Sequence, residues 1–183
     1  MTSALIVIDV QRALFETSPP PADAAAVLER INALADRARA AGAPVIYVQH
    51  ETRVGAMAAG QPGVDLDLRL APAPDDRRVR KTTPDSFLRT TLSDELKAAG
   101  VSRLVICGYA TEFCVDTTVR RAAGLGLPVT LAADAHTTHD KPHASGARIR
   151  EHHNATLPAI SSFGVRIQAL PAAAIDFAAG GEA

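Results

Sequence analysis

The chain has 183 residues with 19 basic and 20 acidic side chains, and its formal charge of −1 favours neither nucleic acid nor an anionic membrane as a partner. This length is typical of one compact domain, so we assign residues 1–183 to a single domain. No apolar stretch is long enough to cross a bilayer, and the first residues lack the basic start of a secretory signal. The two cysteines, Cys107 and Cys114, are expected to be free thiols in a reducing cytoplasm.

The first half of the chain alternates apolar runs with segments of helical spacing. Residues 4–9 and 44–50 are short and rich in β-branched side chains, which predicts two buried strands. Apolar residues at helical spacing between them predict a helix that Asp23 caps and that ends at Gly42. Residues 51–76 are rich in Gly, Pro, Ala and Asp and predict a long loop with one short turn, and loops of this length are often active-site lids.

The second half of the chain continues the same alternation. The segment before Lys81 predicts a third strand, and residues 88–99 predict a helix, with Thr91 and Asp94 spaced as a capping box. Further elements are predicted as strands at residues 103–107, 128–133 and 165–169, helices near residues 115–126 and 144–159, a polar loop at residues 134–143 and a short helix in the Ala-rich tail.

Strands that alternate with helices predict an α/β chain, with a three-layer, doubly wound fold and a mostly parallel six-stranded sheet. In such a sheet ligands bind beyond the carboxyl ends of the strands. Asp9, Lys81 and Cys114 each follow a strand, so we expect the three side chains to meet at this edge. A thiol beside a proton acceptor and a cation is typical of nucleophilic catalysis. The helix start and the lysine are expected to lower the pKa of Cys114.

Three segments, LIVIDVQ, RKTTPDSF and GYATEFCVDTT, resemble in order the signatures of the isochorismatase-like cysteine hydrolases, and the likeness covers nearly the whole chain. The last segment, with EHHNATL downstream, resembles the streptothricin-hydrolase-like branch. The resemblance implies a catalytic triad of Asp9, Lys81 and Cys114. It also implies an oxyanion hole formed by the backbone N–H groups of Ala110 and Cys114, with a cis peptide bond between Tyr109 and Ala110.

The activity that the resemblance implies is hydrolysis of a small amide, lactam or ureido-type substrate through a thioester intermediate. Cys114 would be the nucleophile, Asp9 the acid and base, and Lys81 the electrostatic support. No redox or nucleotide cofactor takes part in that chemistry, and the family is oligomeric, so a homodimer or homotetramer is expected. The candidates for substrate contact are Gln11, His50, Phe87, Tyr109 and Phe113.

Histidines raise the question of a metal. Nicotinamidases of the same superfamily carry an Asp-x-His metal motif after the second strand, where this chain has VQHETRV, so we expect no metal. His136, His139 and His143 lie close together in sequence, but their spacing matches no strong zinc signature. Loop solvation or a subunit contact is the role expected for these three histidines.

Other functions stay open at this point. A thiol redox protein would oxidise Cys114 instead of acylating it, and an isochorismate-type hydrolase would share the fold. Relatives with isochorismate chemistry lack the nucleophilic cysteine, so the presence of Cys114 argues against that alternative. We interpret Cys107 as a buried apolar residue, and Glu112 as a first-turn acid that interacts favourably with the helix dipole.

Overall fold

A computed structural model describes residues 2–178 of the chain, with a six-stranded sheet at its centre. The strands are β1 (Thr2–Ile8), β2 (Val45–His50), β3 (Arg77–Lys81), β4 (Val101–Tyr109), β5 (Val129–Thr137) and β6 (Ile167–Leu170). Their order across the sheet is β3-β2-β1-β4-β5-β6, and every neighbouring pair is parallel. The predicted six-stranded sheet is confirmed, and within the described residues its named strands are parallel throughout.

Helices cover both faces of this sheet. They are α1 (Arg12–Phe15), α2 (Ala24–Ala40), α3 (Leu92–Ala98), α4 (Asp116–Gly124) and α5 (Gly146–Thr156). The apolar side of α2 packs on one face, and those of α3 and α4 pack on the other. The predicted three-layer α/β fold is therefore confirmed.

The sequence of β1 explains the layering. Leu5 and Val7 lie in the cluster with α2, whereas Ile6 and Ile8 lie in the cluster with α3 and α4. Successive side chains of a strand point to opposite faces, so a continuous apolar run is buried on both sides. Burial of each such side chain stabilises the fold by about 1.5–3 kcal/mol.

The order of the strands creates the place for a ligand. The chain runs outward from β1 through β2 to β3, and then returns to the other side of β1 for β4. Ligands of open α/β sheets bind beyond the carboxyl ends of the strands where the order reverses. The segments that follow β1 and β4, at Asp9 and at residues 110–115, therefore lie at this switch point.

Two helix starts differ from the sequence predictions. α3 begins at Leu92, and Thr91 itself has helical dihedrals and caps no backbone N–H with its side chain. The Thr91 hydroxyl donates to Glu95 Oε1 at 2.6 Å, so the predicted capping box is wrong. Asp23 does precede α2, but it has a left-handed φ of 54° and its side chain makes no capping hydrogen bond. Its carboxylate pairs instead with Arg150 at 2.6 Å.

The predicted polar loop at residues 134–143 begins as a strand. The pairing of β4 with β5 shifts register after Ile106 and resumes with Gly108 opposite His136 and Tyr109 opposite Thr137. Backbone pairing thus continues through polar residues that the pattern assigned to a loop.

The predicted tail helix is a single 3₁₀ turn, Ala172–Ala174, and residues 179–183 lie outside the described part of the chain.

None of the helices in the described residues is long and apolar enough to cross a membrane.

Candidate active site

A cysteine, an aspartate and a lysine meet beyond the carboxyl ends of β1, β3 and β4. Lys81 Nζ lies 2.7 Å from Asp9 Oδ2 and 3.2 Å from Cys114 Sγ. The same ammonium nitrogen lies 3.1 Å from the Thr83 carbonyl oxygen and 3.2 Å from Nδ1 of His50. The structure therefore brings together the three residues that the sequence pattern singled out.

Asp9 has an unusual backbone as well as a buried side chain. Its φ is 51°, in the left-handed region that non-glycine residues seldom adopt and that is found at functional sites. Its N–H donates to the Val48 carbonyl at 2.8 Å, which ties the end of β1 to β2. The Oδ1 atom is buried and has no hydrogen-bond partner within the described residues. One carboxylate oxygen is thus held by Lys81, and the other remains able to accept a proton.

Burial and charge act against each other at this pair. Burial raises the pKa of Asp9 above its ordinary value, while the neighbouring Lys81 charge opposes the change. The pKa of His50 is lowered, first by burial and then by the charge of Lys81. A buried lysine thus has a carboxylate and a neutral imidazole as neighbours.

Cys114 lies in a π-helical turn, Thr111–Val115, between β4 and α4. Burial, and secondly the negative charge of Asp9, raise its pKa to about 12, although Lys81 opposes both effects. The predicted lowering of this pKa is therefore wrong. Desolvation of the thiolate outweighs the effects of one cation and a short turn. The thiol is protonated at neutral pH and needs a base before it can attack.

The turn that leads to Cys114 is tightly constrained. Gly108 has a φ of 118°, and a Cβ on it would lie 2.1 Å from the carbonyl oxygen of Ile8. The peptide bond between Tyr109 and Ala110 is cis. The Ala110 carbonyl accepts hydrogen bonds from the N–H groups of Phe113 and Val115, both at 3.1 Å. The backbone between β4 and the nucleophile is thus fixed by contacts on both sides.

The side chain of Gln11 hydrogen-bonds to backbone groups of two other segments. Its amide donates to the carbonyls of His50 at 2.9 Å and Val64 at 2.8 Å, and its oxygen accepts from the His50 N–H at 2.8 Å. The side chain is fully buried. It joins β1 and β2 to the 3₁₀ turn Pro62–Val64, which is the short turn expected in the long loop. This positioning role replaces the predicted substrate contact.

The other candidates for substrate contact occupy different surroundings. Phe87 is buried in the apolar cluster with α3 and α4, so its ring belongs to the core. Phe113 is 54% exposed, and Lys141 Nζ lies 5.4 Å from the centre of its ring. Tyr109 and His50 are partly buried near the nucleophile. Contacts of His50, Tyr109 and Phe113 with a substrate stay predictions.

Glu112 makes specific contacts beyond the expected dipole interaction. Its Oε1 accepts from the Thr138 hydroxyl at 2.9 Å and pairs with Lys141 at 3.2 Å. It also lines a cavity of about 390 Å³ together with side chains of residues 143–153. Cys114 is not among the lining residues, so this cavity is separate from the cluster around Lys81.

His136 in β5 and the two histidines that follow this strand, His139 and His143, do not form a metal site. Within the part of the chain that the structure describes, no three His, Cys, Asp or Glu side chains are grouped so as to hold an ion. His136 is fully buried with Nδ1 2.9 Å from Thr111 Oγ1, so loop solvation is the wrong role for it. His139 Nδ1 lies 2.9 Å from the Tyr109 hydroxyl, and His143 is exposed.

Sequence reasoning missed the contacts of His136 and His139 because it ended β5 too early. Neither Gly nor Pro interrupts the chain from Val129 to Thr137, and that continuity is the signal that could have extended the strand. Cys107, by contrast, is fully buried as interpreted, and burial raises the pKa of its thiol.

The chain is similar to several known proteins. The Isochorismatase domain matches residues 3–164. A streptothricin hydrolase of Streptomyces noursei is 41% identical over 185 residues, which covers 96% of this chain and 71% of that protein. A second match to a streptothricin hydrolase of that species is 44% identical and covers 77% of this chain but only 51% of that protein.

Two further relatives extend the comparison. The ureidoacrylate amidohydrolase of Caulobacter vibrioides is 31% identical over 175 residues, covering 73% of this chain and 76% of that protein. The crystal structure of a cysteine hydrolase from Pseudomonas syringae pv. phaseolicola 1448A superposes with a TM-score of 0.83 at 26% identity, covering 94% of this chain and 89% of that one. On the domain match and these identities, the chain belongs to the isochorismatase family of hydrolases.

Proposed function

We propose that the protein is a cysteine amidohydrolase that cleaves the C–N bond of a small amide, lactam or ureido-type substrate. The observation that carries the proposal is the contact of one buried ammonium, Lys81, with both the Asp9 carboxylate and the Cys114 thiol. The name of one relative, a ureidoacrylate amidohydrolase, supports the bond type, and the name of another, a streptothricin hydrolase, supports hydrolysis. No cofactor and no metal are part of the proposed mechanism.

Acylation is the first half of the proposed mechanism. Because its pKa is raised to about 12, the Cys114 thiol is protonated, and Asp9 accepts that proton as Sγ attacks the substrate carbonyl carbon. Lys81 stabilises the negative charge on both Asp9 and the attacking sulfur. The N–H groups of Ala110 and Cys114 would bind the oxyanion, and loss of one such donor costs roughly 10²–10³ in turnover.

Release of the products completes the cycle. The C–N bond breaks, and the proton held by Asp9 moves to the leaving nitrogen, which leaves a thioester on Cys114. Water then attacks the thioester carbon while Asp9 accepts one of its protons. Collapse of this second intermediate breaks the C–S bond and returns the proton to the sulfur. One amide and one water thus give one acid and one amine.

The raised pKa of Cys114 also bears on the redox alternative. Redox-sensing cysteines are exposed and have a low pKa. Cys114 is partly buried, and its pKa is raised by burial and by Asp9. A base within the site suits hydrolysis better, since it supplies the proton transfer that such a thiol needs.

The proposal includes an oligomer and a reducing compartment. Phe113, next to the nucleophile, leaves 54% of its area exposed, and Val54 and Leu68 of the long loop leave 80% and 75% exposed. A second copy of the chain covering these side chains would form a homodimer or homotetramer that helps to wall the site. A cytoplasmic location would keep the nucleophile reduced.

A panel of small amides, lactams and ureido compounds tests the function, with release of ammonia or amine as the measurement. Turnover of at least one compound is expected, together with an acyl adduct on Cys114 in mass spectra of the quenched reaction. Turnover without any adduct in rapidly quenched samples, and undiminished in Cys114→Ala, would show that the reaction does not use this thiol.

A further inference from the structure

Two imidazoles, one at the polar end of β5 and one just after it, contact the turn before the nucleophile. Nδ1 of His136 lies 2.9 Å from the Thr111 hydroxyl, and Nδ1 of His139 lies 2.9 Å from the Tyr109 hydroxyl. Ala110, whose N–H is proposed for the oxyanion hole, lies between the two contacted residues. These two contacts therefore restrain the turn on both sides of Ala110.

The direction of the hydrogen bonds at His136 follows from its other partner. Asn154 Nδ2 donates to the Ala133 carbonyl at 2.8 Å, so Asn154 Oδ1 is the atom that faces His136 Nε2, at 2.9 Å. An oxygen acceptor requires a proton on Nε2, and the neutral ring then has a bare Nδ1. Nδ1 accordingly accepts the hydrogen bond from the Thr111 hydroxyl.

The same reasoning gives the direction at His139. The Thr17 hydroxyl donates to the Pro19 carbonyl at 3.0 Å, so its oxygen accepts from His139 Nε2 at 2.8 Å. With the proton on Nε2, Nδ1 of the neutral ring accepts from the Tyr109 hydroxyl. The Tyr109 and His139 rings also pack edge to face, with centroids 5.6 Å apart. Both histidines thus present a bare Nδ1 to the turn.

We propose that His136 and His139 are positioning residues, two neutral imidazoles that accept hydrogen bonds from Thr111 and Tyr109 and so hold the Ala110 N–H toward the oxyanion. The catalytic part of this proposal depends on the proposed function, whereas the hydrogen-bond directions do not. Oxyanion donors act through their fixed orientation, so even a small loosening of the turn lowers the rate.

The charges around His136 keep its ring neutral. Burial lowers the pKa of His136 to about 4, opposed by the Asn154 hydrogen bond, and the charges that face the ring are Arg150, His153 and Asp134. Protonation in acid would place a proton on Nδ1 and remove the acceptor for Thr111. The contact is therefore stable at neutral pH and is lost as the pH falls toward 4.

His139 is the more exposed ring of the two. Its pKa is lowered first by burial and then by Lys141, while Asp140 and Glu112 oppose the change. The backbone of Pro19 also opposes the change in the pKa of His139. His139 therefore keeps its bare Nδ1 at neutral pH.

The first test reads the protonation of each ring directly. Long-range ¹H–¹⁵N correlation on protein labelled at histidine, between pH 4 and 8, should show both rings neutral at pH 7 with the proton on Nε2. Signals are assigned with His136→Asn and His139→Asn. A proton on Nδ1 of His136 at pH 7 would overturn the proposal.

The second test separates acylation of the thiol, which forms an oxyanion, from alkylation, which does not. Thr111→Val removes the hydroxyl at nearly constant shape, and Thr111→Ser keeps it. Thr111→Val should slow acylation by p-nitrophenyl acetate roughly tenfold with little change in alkylation by iodoacetamide at pH 9. Thr111→Ser should keep most of the acylation rate, and His143→Ala, the exposed third histidine, should match the wild type.

Two results of the second test would contradict the positioning role. One is an unchanged acylation rate in Thr111→Val, and the other is a parallel loss of both reactions, which indicates general damage. If the wild type and Cys114→Ala release p-nitrophenolate equally, the proposed nucleophile fails and the catalytic part fails with it. The NMR measurement still decides the hydrogen-bond directions in that case.

Discussion

Lys81 and Asp9 form a buried ion pair with 2.7 Å between Nζ and Oδ2, and their side chains are 0% and 3% exposed. Removal of one partner from such a pair leaves an uncompensated buried charge. The pair is therefore a requirement of the fold as well as of the proposed chemistry, and the two contributions can be separated by mutation.

Lys81→Met should lower the free energy of unfolding by about 3–5 kcal/mol and abolish hydrolysis, because the Asp9 carboxylate loses its counter-charge. Urea unfolding followed by circular dichroism measures the first effect. The double variant Asp9→Asn with Lys81→Met should recover much of the stability and none of the activity, because no buried charge remains. Arg12→Ala, which breaks an exposed pair with Glu16, is the matched control and should change stability little.

Recovery of activity in the double variant would show that neither residue takes part in catalysis. A single variant as stable as the wild type would show that the pair does not compensate a buried charge.

Cys114→Ala should abolish hydrolysis and leave the circular dichroism spectrum unchanged, because the side chain lies in a turn at the edge of the core. Cys107→Ala is the matched control, since Cys107 lies inside β4 and is fully buried. It should keep most of the activity, with a loss of stability from the small cavity. Equal loss of activity in both variants at unchanged fold would contradict the assignment of the nucleophile.

The position of the three central residues could be predicted because it depends only on topology. Each lies at or beyond the carboxyl end of a parallel strand, and these ends share one edge of the sheet. The burial of Gln11 could not be predicted in this way. Its amide donates hydrogen bonds to backbone carbonyls of β2 and of the loop at residues 51–76. No local sequence pattern shows that these segments meet.

The sign of the change in the pKa of Cys114 was beyond sequence reasoning for a similar reason. A helix start and a lysine are visible in the sequence, and both lower a thiol pKa. The extent of burial is a property of the whole fold, and at this site burial is the larger effect. The end of β5 depends on a register shift in its pairing with β4. The polar residues from Asp134 to Thr137 give no sign of this shift in the sequence.

The raised pKa gives a prediction for alkylation. At pH 7 iodoacetamide should label Cys114 slowly, because the pKa of the thiol is raised to about 12 and little thiolate is present. The rate should rise with pH beyond the range in which an ordinary cysteine levels off. Asp9→Asn removes the negative neighbour, so it should lower the thiol pKa and speed alkylation at any given pH. Cys107, whose pKa burial also raises, should react more slowly than Cys114.

Mass spectrometry of tryptic peptides, sampled over time between pH 6 and 11, measures these rates. Slower alkylation in Asp9→Asn than in the wild type would contradict the proposed electrostatic effect of the carboxylate. Levelling of the wild-type alkylation rate near pH 8 would show that the helix start and Lys81 affect the pKa of the Cys114 thiol more than burial does.

The last prediction concerns the close approach of β1 and β4 at Gly108. A Cβ at this position would meet the Ile8 carbonyl oxygen at 2.1 Å and the Ile8 nitrogen at 2.7 Å, and the φ of 118° is unfavourable for any side chain. Backbone atoms on adjacent strands cannot move apart without breaking the pairing that precedes Asp9. Gly108→Ala should therefore destabilise the protein severely or prevent its folding.

Gly126→Ala is the matched control, with a φ of 83° and no atom within 4 Å of the added Cβ, so it should cost only about 1 kcal/mol. Thermal melts of both variants compare the two costs, and a Gly108→Ala protein as stable as Gly126→Ala would show that β1 and β4 are not so closely packed at this point.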